Sequence, residues 1–384
     1  MFIKIKECFP MIAKIVSMIM SLVMMISSAF GLSFIAPEEE AKEIENVIIM
    51  IGDGMGWNHL YSTQNKYDIE LDMLKKTDYH GFSRTRSASA LVTDSAAGGT
   101  ALSTGSKTSN GFVGVYPADP LEVIATPSSI TEVAMKFGKS TGVVTSDAVT
   151  GATPSAFSAH ERDRDMSEEL FADQVASDID LIWGSIDTET VTEKACTEND
   201  KEYVTTLSEV KALDLGEKSI GQFDCDTMWQ GKDNGDQPTL SELTDEAIRI
   251  LNQDEDGFFL MVEGAHIDKR SHDRDGDGAM TAVLEFDKAV SNAIDFAKAD
   301  GNTLVIITAD HETGAVTPNG DGTYKWTSGS HSAANVPVLV YGCDSFMEDG
   351  ATIENTEIPT RAVAFMTNNE QYFPIPYSCL IEEK

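Results

Sequence analysis

The chain has 384 residues, of which 41% are hydrophobic, enough to form a large packed core in one or two domains. Asp and Glu number 63 against 28 Lys and Arg, so the formal net charge is -35 at pH 7. Such an acidic surface repels nucleic acid and anionic lipid and excludes both as partners attracted by bulk charge. The acidity suits solubility in a salty habitat, while binding of divalent cations accounts for only a few of the carboxylates.

The N-terminal segment has the layout of a secretory signal peptide. Lys4, Lys6 and Lys14 precede an apolar run from Ile15 to about Phe34, and small residues between 27 and 31 offer cleavage sites. We therefore interpret residues 1–30 as a signal peptide and 31–45 as a solvated linker. The apolar run is also long enough to span a bilayer, so an uncleaved membrane anchor is the alternative. Either interpretation predicts export, to a periplasmic or extracellular location.

Five short apolar runs, bounded by polar or Gly residues, follow in the mature chain. They are "NVIIMIG" (46–52), "TGVVTS" (141–146), "GFFLMVEG" (257–264), "NTLVIITA" (302–309) and "VPVLVYG" (336–342). Runs of this kind are typical of buried parallel strands, and apolar residues at helical spacing occur at 240–251 and 281–299. Their alternation predicts an α/β three-layer sandwich, with a mostly parallel central sheet, over a single catalytic domain from 46 to 384.

The segment 163–252 has a weaker pattern and is acidic. We interpret it as an inserted, cap-like excursion from the sheet. The mature chain keeps four cysteines, and an even number in an exported protein suggests two disulfides. Chain order favours Cys196 with Cys225 and Cys343 with Cys379. A zinc site made of these four is a weaker alternative, because the chain has no C-x-x-C pair.

Polar side chains with metal-binding capacity follow several of the predicted strands. They are Asp53, Thr153, Glu263, Asp268, His272, Asp310, His311 and, just before the last strand, His331. Ligands of open α/β sheets bind at the carboxyl ends of the strands. An Asp at such a place often only caps a helix, and a lone His is often structural. Together, however, two groups of mixed Asp and His ligands predict two zinc ions in an open, catalytic site.

The stretch "VTDSAAGGTALSTG" (92–105) reads as a helix start with Ser95 in its first turn. The small residues behind Ser95 let the backbone approach a ligand, and the free N–H groups of a helix N-terminus favour a phosphate. By itself Ser95 is better explained as an N-cap. Beside a metal cluster it becomes a candidate nucleophile, because zinc lowers the pKa of a coordinated hydroxyl.

The assembled motifs resemble those of the alkaline phosphatase family over about residues 46–342. They are "IGDGMG", "TDSAAGGTALSTG", "GATPSAFSAHERDR", "VEGAHIDKRSH", "TADHETG" and "GSHSAANVP", in the family's order. The resemblance implies a phosphomonoesterase that acts on small phosphate monoesters through a phosphoserine, with two zinc ions and one magnesium ion. It also implies a possible homodimer.

The resemblance assigns metal ligands residue by residue. It implies one zinc at Asp53, Asp310 and His311, the second at Asp268, His272 and His331, and magnesium at Asp53, Thr153 and Glu263. Bacterial members have Asp where this chain has Gly151, so no side chain at that position supports the water shell of the magnesium, and another ion could take the site.

On the phosphate side, the resemblance makes Ser95 the nucleophile and Arg164 the residue that grips the phosphate, positioned by Asp94. Arg162 is the alternative to Arg164. Lys269 either reaches the phosphate through water or is a solvated surface lysine. The acidic "DRDGDG" (273–278) starts like a calcium loop but lacks Glu at the twelfth position, which favours a solvated loop.

Two other functions remain open from the sequence. One is a phosphodiesterase or nucleotide pyrophosphatase of the same superfamily, against which Arg164 and the magnesium ligands weigh, because both recognise the extra charged oxygens of a monoester. The other is a non-catalytic cation- or phosphate-binding surface protein. That hypothesis explains the acidity but not the joint presence of Ser95, Arg164 and two metal sets. A sulfatase is disfavoured because no C-x-P-x-R or S-x-P-x-R motif surrounds the nucleophile.

Overall fold

A computed structural model describes residues 43–116, 126–232 and 235–375. The predicted signal peptide, and with it the alternative membrane anchor, lies outside the described residues, as does most of the linker. Within the described ranges, the helices are too short or too polar to cross a membrane.

The strands are β1 (Asn46–Gly52), β2 (Tyr79–Arg84), β3 (Ser140–Ala148), β4 (Leu181–Ser185), β5 (Glu202–Val204), β6 (Ser219–Phe223), β7 (Phe258–Gly264), β8 (Thr303–Thr308), β9 (Glu312–Thr313), β10 (Thr317–Pro318), β11 (Tyr324–Lys325), β12 (His331–Ser332), β13 (Val336–Tyr341) and β14 (Thr352–Glu354). The helices are α1 (Trp57–Tyr67), α2 (Asp72–Lys76), α3 (Ser95–Thr104), α4 (Ile130–Lys136), α5 (Ala152–Ala156), α6 (Ser167–Ala176), α7 (Glu193–Glu198), α8 (Leu207–Ala212), α9 (Cys225–Gln230), α10 (Leu240–Leu251), α11 (His266–His272), α12 (Gly276–Asp300) and α13 (Glu357–Met366).

Ten of these strands form one sheet in the order β14-β2-β13-β8-β1-β7-β3-β4-β6-β5. Side chains alternate across its faces, so Ile48 and Met50 of β1 pack under α10 and α12, while Val47, Ile49 and Ile51 pack under α3, α4 and α13. Every residue of β1 is buried. The predicted three-layer α/β sandwich is therefore confirmed.

The direction of the last predicted strand was wrong. Residues 336–342 were expected to form a parallel strand, but β13 runs antiparallel to both of its neighbours, β8 and β2. The connection from β8 to β13 contains only short strands and turns. It begins and ends on the side of the sheet where β8 and the other parallel strands have their carboxyl ends. To form a parallel strand, the chain would first have to return to the opposite ends of the strands through a crossover connection, usually a helix.

The segment 163–252 is more regular than the predicted excursion. Its strands β4, β6 and β5 extend the central sheet beyond β3 as parallel neighbours. The patterns "LIWGS" and "SIGQF" are short and contain Gly or polar residues, which hid them although both strands are fully buried. This part of the expectation is corrected: the segment adds an edge to the sheet.

The predicted disulfide between Cys196 and Cys225 is also corrected, because both are free thiols, as is Cys343. Cys196 lies buried on α7 in a cluster with Ile182 and Ile220. Cys225 begins α9, where its Sγ lies 3.2 Å from Nε2 of His266. The two thiols thus belong to different packing environments. The second predicted disulfide, between Cys343 and Cys379, involves Cys379, which lies outside the described residues.

Candidate active site

Four neighbouring parallel strands, β8, β1, β7 and β3, deliver polar groups to one edge of the sheet. In the register, Ile51 of β1 lies between Thr308 of β8 and Glu263 of β7, and Thr145 of β3 lies beside Glu263. Asp53 follows β1 and Asp310 follows β8, so the carboxylates gather where the strands end. This is the edge at which α/β sheets bind ligands.

The first cluster consists of Asp53, Asp310 and His311, all buried. Nε2 of His311 lies 3.5 Å from Oδ1 of Asp53 and 3.2 Å from Oδ2 of Asp310. These two carboxylate oxygens form no hydrogen bond with the described part of the chain. Burial, followed by the charges of Asp310 and Asp268, raises the pKa of Asp53 well above its ordinary value. Buried carboxylates left without donors fit a cation.

The second cluster consists of Asp268, His272 and His331. The Nδ1 atoms of His272 and His331 each lie 2.9 Å from a backbone carbonyl oxygen, those of Gly329 and Thr93. These contacts orient both rings so that their Nε2 atoms face each other at 3.1 Å. Such carbonyl partners fix the tautomer that leaves Nε2 free to bind a metal.

Asp268 completes this second cluster as its anionic member. Its Oδ2 lies 3.2 Å from Nε2 of His272. Burial opposes ionisation of Asp268, but the hydrogen bond from His272 and the charge of His311 hold its pKa below the usual range. The same hydrogen bond raises the pKa of His272 to about 9. One carboxylate and two imidazoles are a typical ligand set for a catalytic zinc.

The two clusters adjoin each other. The rings of His311 and His331 stack with centroids 3.5 Å apart. The Thr313 hydroxyl contacts Oδ1 of Asp268 and lies 3.2 Å from Nδ1 of His311. Two cations bound here would therefore be neighbours, as a two-metal clamp requires.

Ser95 faces these clusters from the first turn of α3. Its Oγ lies 3.1 Å from Nε2 of His311. Asp94 is the N-cap of the helix: it accepts hydrogen bonds from the N–H groups of Ala97, at 3.0 Å, and Gly111, at 2.9 Å. Nη1 of Arg164 lies 3.3 Å from the same carboxylate. The structure thus brings together Ser95, Asp94 and Arg164.

Glu263 lies deeper, and its Oε2 accepts a hydrogen bond from the Thr145 hydroxyl. Burial and the charge of Asp147 raise its pKa to about 8. Thr153 is buried on α5. Lys269 forms an ion pair with Asp147, so its nearest charged partner is a carboxylate of the protein. Neither alternative given for Lys269 anticipated this pair.

Sequence reasoning missed three groups at this edge: Asp147, Thr145 and Thr313. Thr313 lies within the quoted motif "TADHETG", Thr145 lies within the predicted strand at 141–146, and Asp147 directly follows that strand, but none of the three was assigned a role. The "DRDGDG" residues join α11 to α12, where the Asp275 carboxylate accepts from the Gly278 N–H as the N-cap of α12. The acidic loop is thus partly a helix start.

Comparisons with known proteins agree with the geometry. A family model described as alkaline phosphatase matches residues 44–196 and 184–326. The chain is 35% identical over 311 residues to alkaline phosphatase 4 of Bacillus subtilis, covering 76% of this chain and 66% of the relative. It is 34% identical over 342 residues to alkaline phosphatase 3 of the same organism, covering 82% and 70%. The chain thus spans about two thirds of the length of these curated relatives.

Solved structures are similar as well. Alkaline phosphatase from the Antarctic bacterium TAB5 superposes with a TM-score of 0.72 at 30% identity, covering 85% of this chain and 99% of that one. A cold-active alkaline phosphatase from Shewanella sp. gives 0.73 at 26% identity, with coverage of 84% and 99%. A histidine-to-glutamate variant of the TAB5 enzyme, with Mg bound in a site termed M3, gives 0.72 at 31% identity, with coverage of 85% and 99%.

Proposed function

Since this chain belongs to the alkaline phosphatase family, we propose that it hydrolyses phosphate monoesters to alcohol and inorganic phosphate through a phosphoserine at Ser95. The contact of Ser95 Oγ with His311, between two adjoining clusters of Asp and His, carries the proposal. Small phosphate monoesters are the proposed substrates.

Two zinc ions and one magnesium ion are the proposed cofactors. Asp53, Asp310 and His311 would hold one zinc, and Asp268, His272 and His331 the other. The buried, unpartnered oxygens of Asp53 and Asp310 and the facing Nε2 atoms of His272 and His331 support this assignment. When bound, these ions would lower the pKa of the serine hydroxyl and stabilise charge on the attacking and leaving oxygens.

The residues of the chain divide the remaining work. Ser95 Oγ loses its proton to water and attacks phosphorus, and the ester oxygen leaves with the bonding electrons and takes up a proton from water to give the alcohol. Water then attacks the phosphorus of the phosphoserine, a proton returns to Ser95 Oγ as the serine–phosphate bond breaks, and inorganic phosphate is released. Arg164 offers a planar pair of N–H donors to two phosphate oxygens. Asp94 fixes that guanidinium and the start of α3, whose free N–H groups favour a bound anion. Bound cations and Arg164 would make the site locally positive within an acidic protein.

Export is the proposed route, with residues 1–30 as signal peptide, and an uncleaved N-terminus would tether the enzyme to a membrane. The hydrophobic run at 15–34 supports this proposal. We further propose that the protein assembles as a homodimer, which light scattering would test.

The decisive assay is hydrolysis of p-nitrophenyl phosphate by the mature protein at alkaline pH, with added zinc and magnesium and again after chelation. Bis-p-nitrophenyl phosphate is the matched diester. We expect metal-dependent monoester turnover well above diester turnover, and a radiolabelled phosphoenzyme at low pH that Ser95→Ala lacks. Preference for the diester would indicate a phosphodiesterase, and metal binding without turnover would indicate a binding protein.

A further inference from the structure

The region around Gly151 is crowded by a carboxylate from elsewhere in the chain. Gly151 is the N-cap of α5, two residues before Thr153, and its φ of -56° is open to any residue. A Cβ built on Gly151 would lie 3.0 Å from Oδ2 of Asp147 and 3.0 Å from the carbonyl oxygen of Ala148. Space therefore favours glycine here, because the carboxylate of Asp147 lies directly against the position where a side chain on residue 151 would begin.

An irregularity at the end of β3 positions Asp147. The register with β4 shifts between Val144 and Ala148, as at a β-bulge. Bulges redirect side chains and are frequent beside active sites. The Asp147 N–H donates to Oγ1 of Thr145 at 2.9 Å, and its own Oδ1 accepts from the Ala148 N–H at 2.8 Å. These bonds hold the carboxylate toward α5 instead of toward solvent.

The groups facing Asp147 are short of positive charge. Glu263 is buried, and its Oε2 accepts a hydrogen bond from the Thr145 hydroxyl, whose Oγ1 also accepts from the Asp147 N–H. Thr153 is only 1% exposed, and neither its hydroxyl oxygen nor Oδ1 of Asp53 forms a hydrogen bond of normal geometry with the described residues. Lys269 neutralises Asp147, but Oγ1 of Thr153 and Oδ1 of Asp53 are left without a hydrogen-bond partner among the described residues.

We propose that Asp147 takes over the task of the carboxylate that Gly151 lacks, and that with Lys269 it supports the water shell of a magnesium ion held by Asp53, Thr153 and Glu263. Mg²⁺ keeps several waters and binds through one or two carboxylates, so a nearby carboxylate that accepts from those waters suits it. Asp147 is a positioning residue on this assignment, since it acts through the bound water. The inference rests on the proposed function for the presence of the metal set.

The test is the affinity for Mg²⁺, measured by titration calorimetry on zinc-loaded, magnesium-depleted protein, with zinc content determined in parallel. Loss of an outer ligand partner typically weakens metal binding by about 10- to 100-fold. We expect Asp147→Asn to weaken Mg²⁺ binding by about that factor and to leave the zinc content unchanged. Asp178→Asn is the matched control, because Asp178 also pairs with a lysine, Lys218. That pair lies just before the starts of β4 and β6, whereas Asp147 lies at the end of the parallel strand β3.

The double variant Asp147→Gly/Gly151→Asp moves the carboxylate back to residue 151 and removes the contact with the Asp147 side chain, so only the 3.0 Å contact with the Ala148 carbonyl oxygen remains. We expect it to bind Mg²⁺ nearly as tightly as the wild type. Unchanged affinity in Asp147→Asn, or no recovery in a double variant that retains its zinc, would overturn the assignment. A wild-type protein that binds Mg²⁺ through Asp147 without hydrolysing p-nitrophenyl phosphate would contradict the proposed function and still support the role of Asp147.

Discussion

Asp94 holds two parts of the site at once, and its removal should affect stability and phosphate binding by separable amounts. Asp94→Ala deletes the acceptor for the Ala97 and Gly111 N–H groups and the partner of Arg164. An N-cap contributes about 1 kcal/mol and a further hydrogen bond about 1 kcal/mol. The ion pair adds little to stability, because 36% of the Arg164 side chain is exposed.

The expected loss is therefore about 2 kcal/mol of unfolding free energy, which lowers the Tm of a protein of this size by about 3 °C. Arg164→Ala leaves both backbone bonds intact and should shift Tm by less than about 1 °C. For inorganic phosphate as a competitive inhibitor, Arg164→Ala should raise Ki by about 10- to 100-fold, because a charged donor pair is lost. Asp94→Ala should raise it less, since the guanidinium remains but is no longer held.

The double variant decides whether Asp94 acts on phosphate through Arg164. Scanning calorimetry on metal-loaded protein gives Tm, and inhibition of p-nitrophenyl phosphate hydrolysis gives Ki. In the Arg164→Ala background, Asp94→Ala should still lower Tm but should no longer raise Ki. An undiminished effect on Ki in that background would refute the coupling, and an unchanged Tm would refute the role of the cap.

Three further outcomes follow from the same geometry. Arg162→Ala should raise the Ki for phosphate less than Arg164→Ala does, and the reverse order would exchange the two arginines. In chelated protein, the folded-state pKa of Glu263, about 8, lies above its ordinary value, so the stability that its protonated form contributes at low pH is lost as pH rises toward 8. The difference in Tm between metal-loaded and chelated protein should therefore widen from pH 6 to pH 9. A constant difference in Tm would contradict this. Burial likewise raises the pKa of Asp287 to about 6, so between pH 4 and 6 the wild type should lose about 2 kcal/mol of stability relative to Asp287→Asn, whereas parallel denaturant midpoints across that range would show an ordinary pKa.

The sheet centre could be predicted from the sequence because buried parallel strands leave continuous apolar runs. "NVIIMIG" matches β1 residue for residue, and the helical spacing at 240–251 matches α10. The strands β4 and β6 were not predicted, because each is only five residues long and contains Gly. Their strand conformation depends on burial in the sheet, which outweighs weak local signals. The antiparallel direction of β13 could not be predicted, because a buried apolar run has the same pattern in a parallel and in an antiparallel strand.

Several candidate metal ligands could be predicted from the sequence because they directly follow a strand, as Asp53 follows β1 and Asp310 follows β8, and the ends of neighbouring parallel strands lie close together. Asp147 was not predicted, because its position depends on a bulge that redirects one side chain, and periodicity carries no sign of that. The cysteine pairing failed for a related reason. Separation along the chain says nothing about which thiols meet, and Cys196 and Cys225 pack against different neighbours.

The antiparallel direction of β13 also determines how the site can vary. Because β8 ends and β13 begins at the same edge, one connection of the chain returns to the site after leaving it: Asp310 and His311 stand at its start and His331 near its end. The stretch between those anchors, which includes the exposed tip at 319–323, contributes no member to either cluster. Within this stretch Thr313 and Gly329 contact members of the clusters, but the exposed tip at 319–323 does not. The length and sequence of the tip can therefore change without altering the ligand sets or the contacts that orient them, which makes the tip the part of this connection that is free to vary at constant site chemistry.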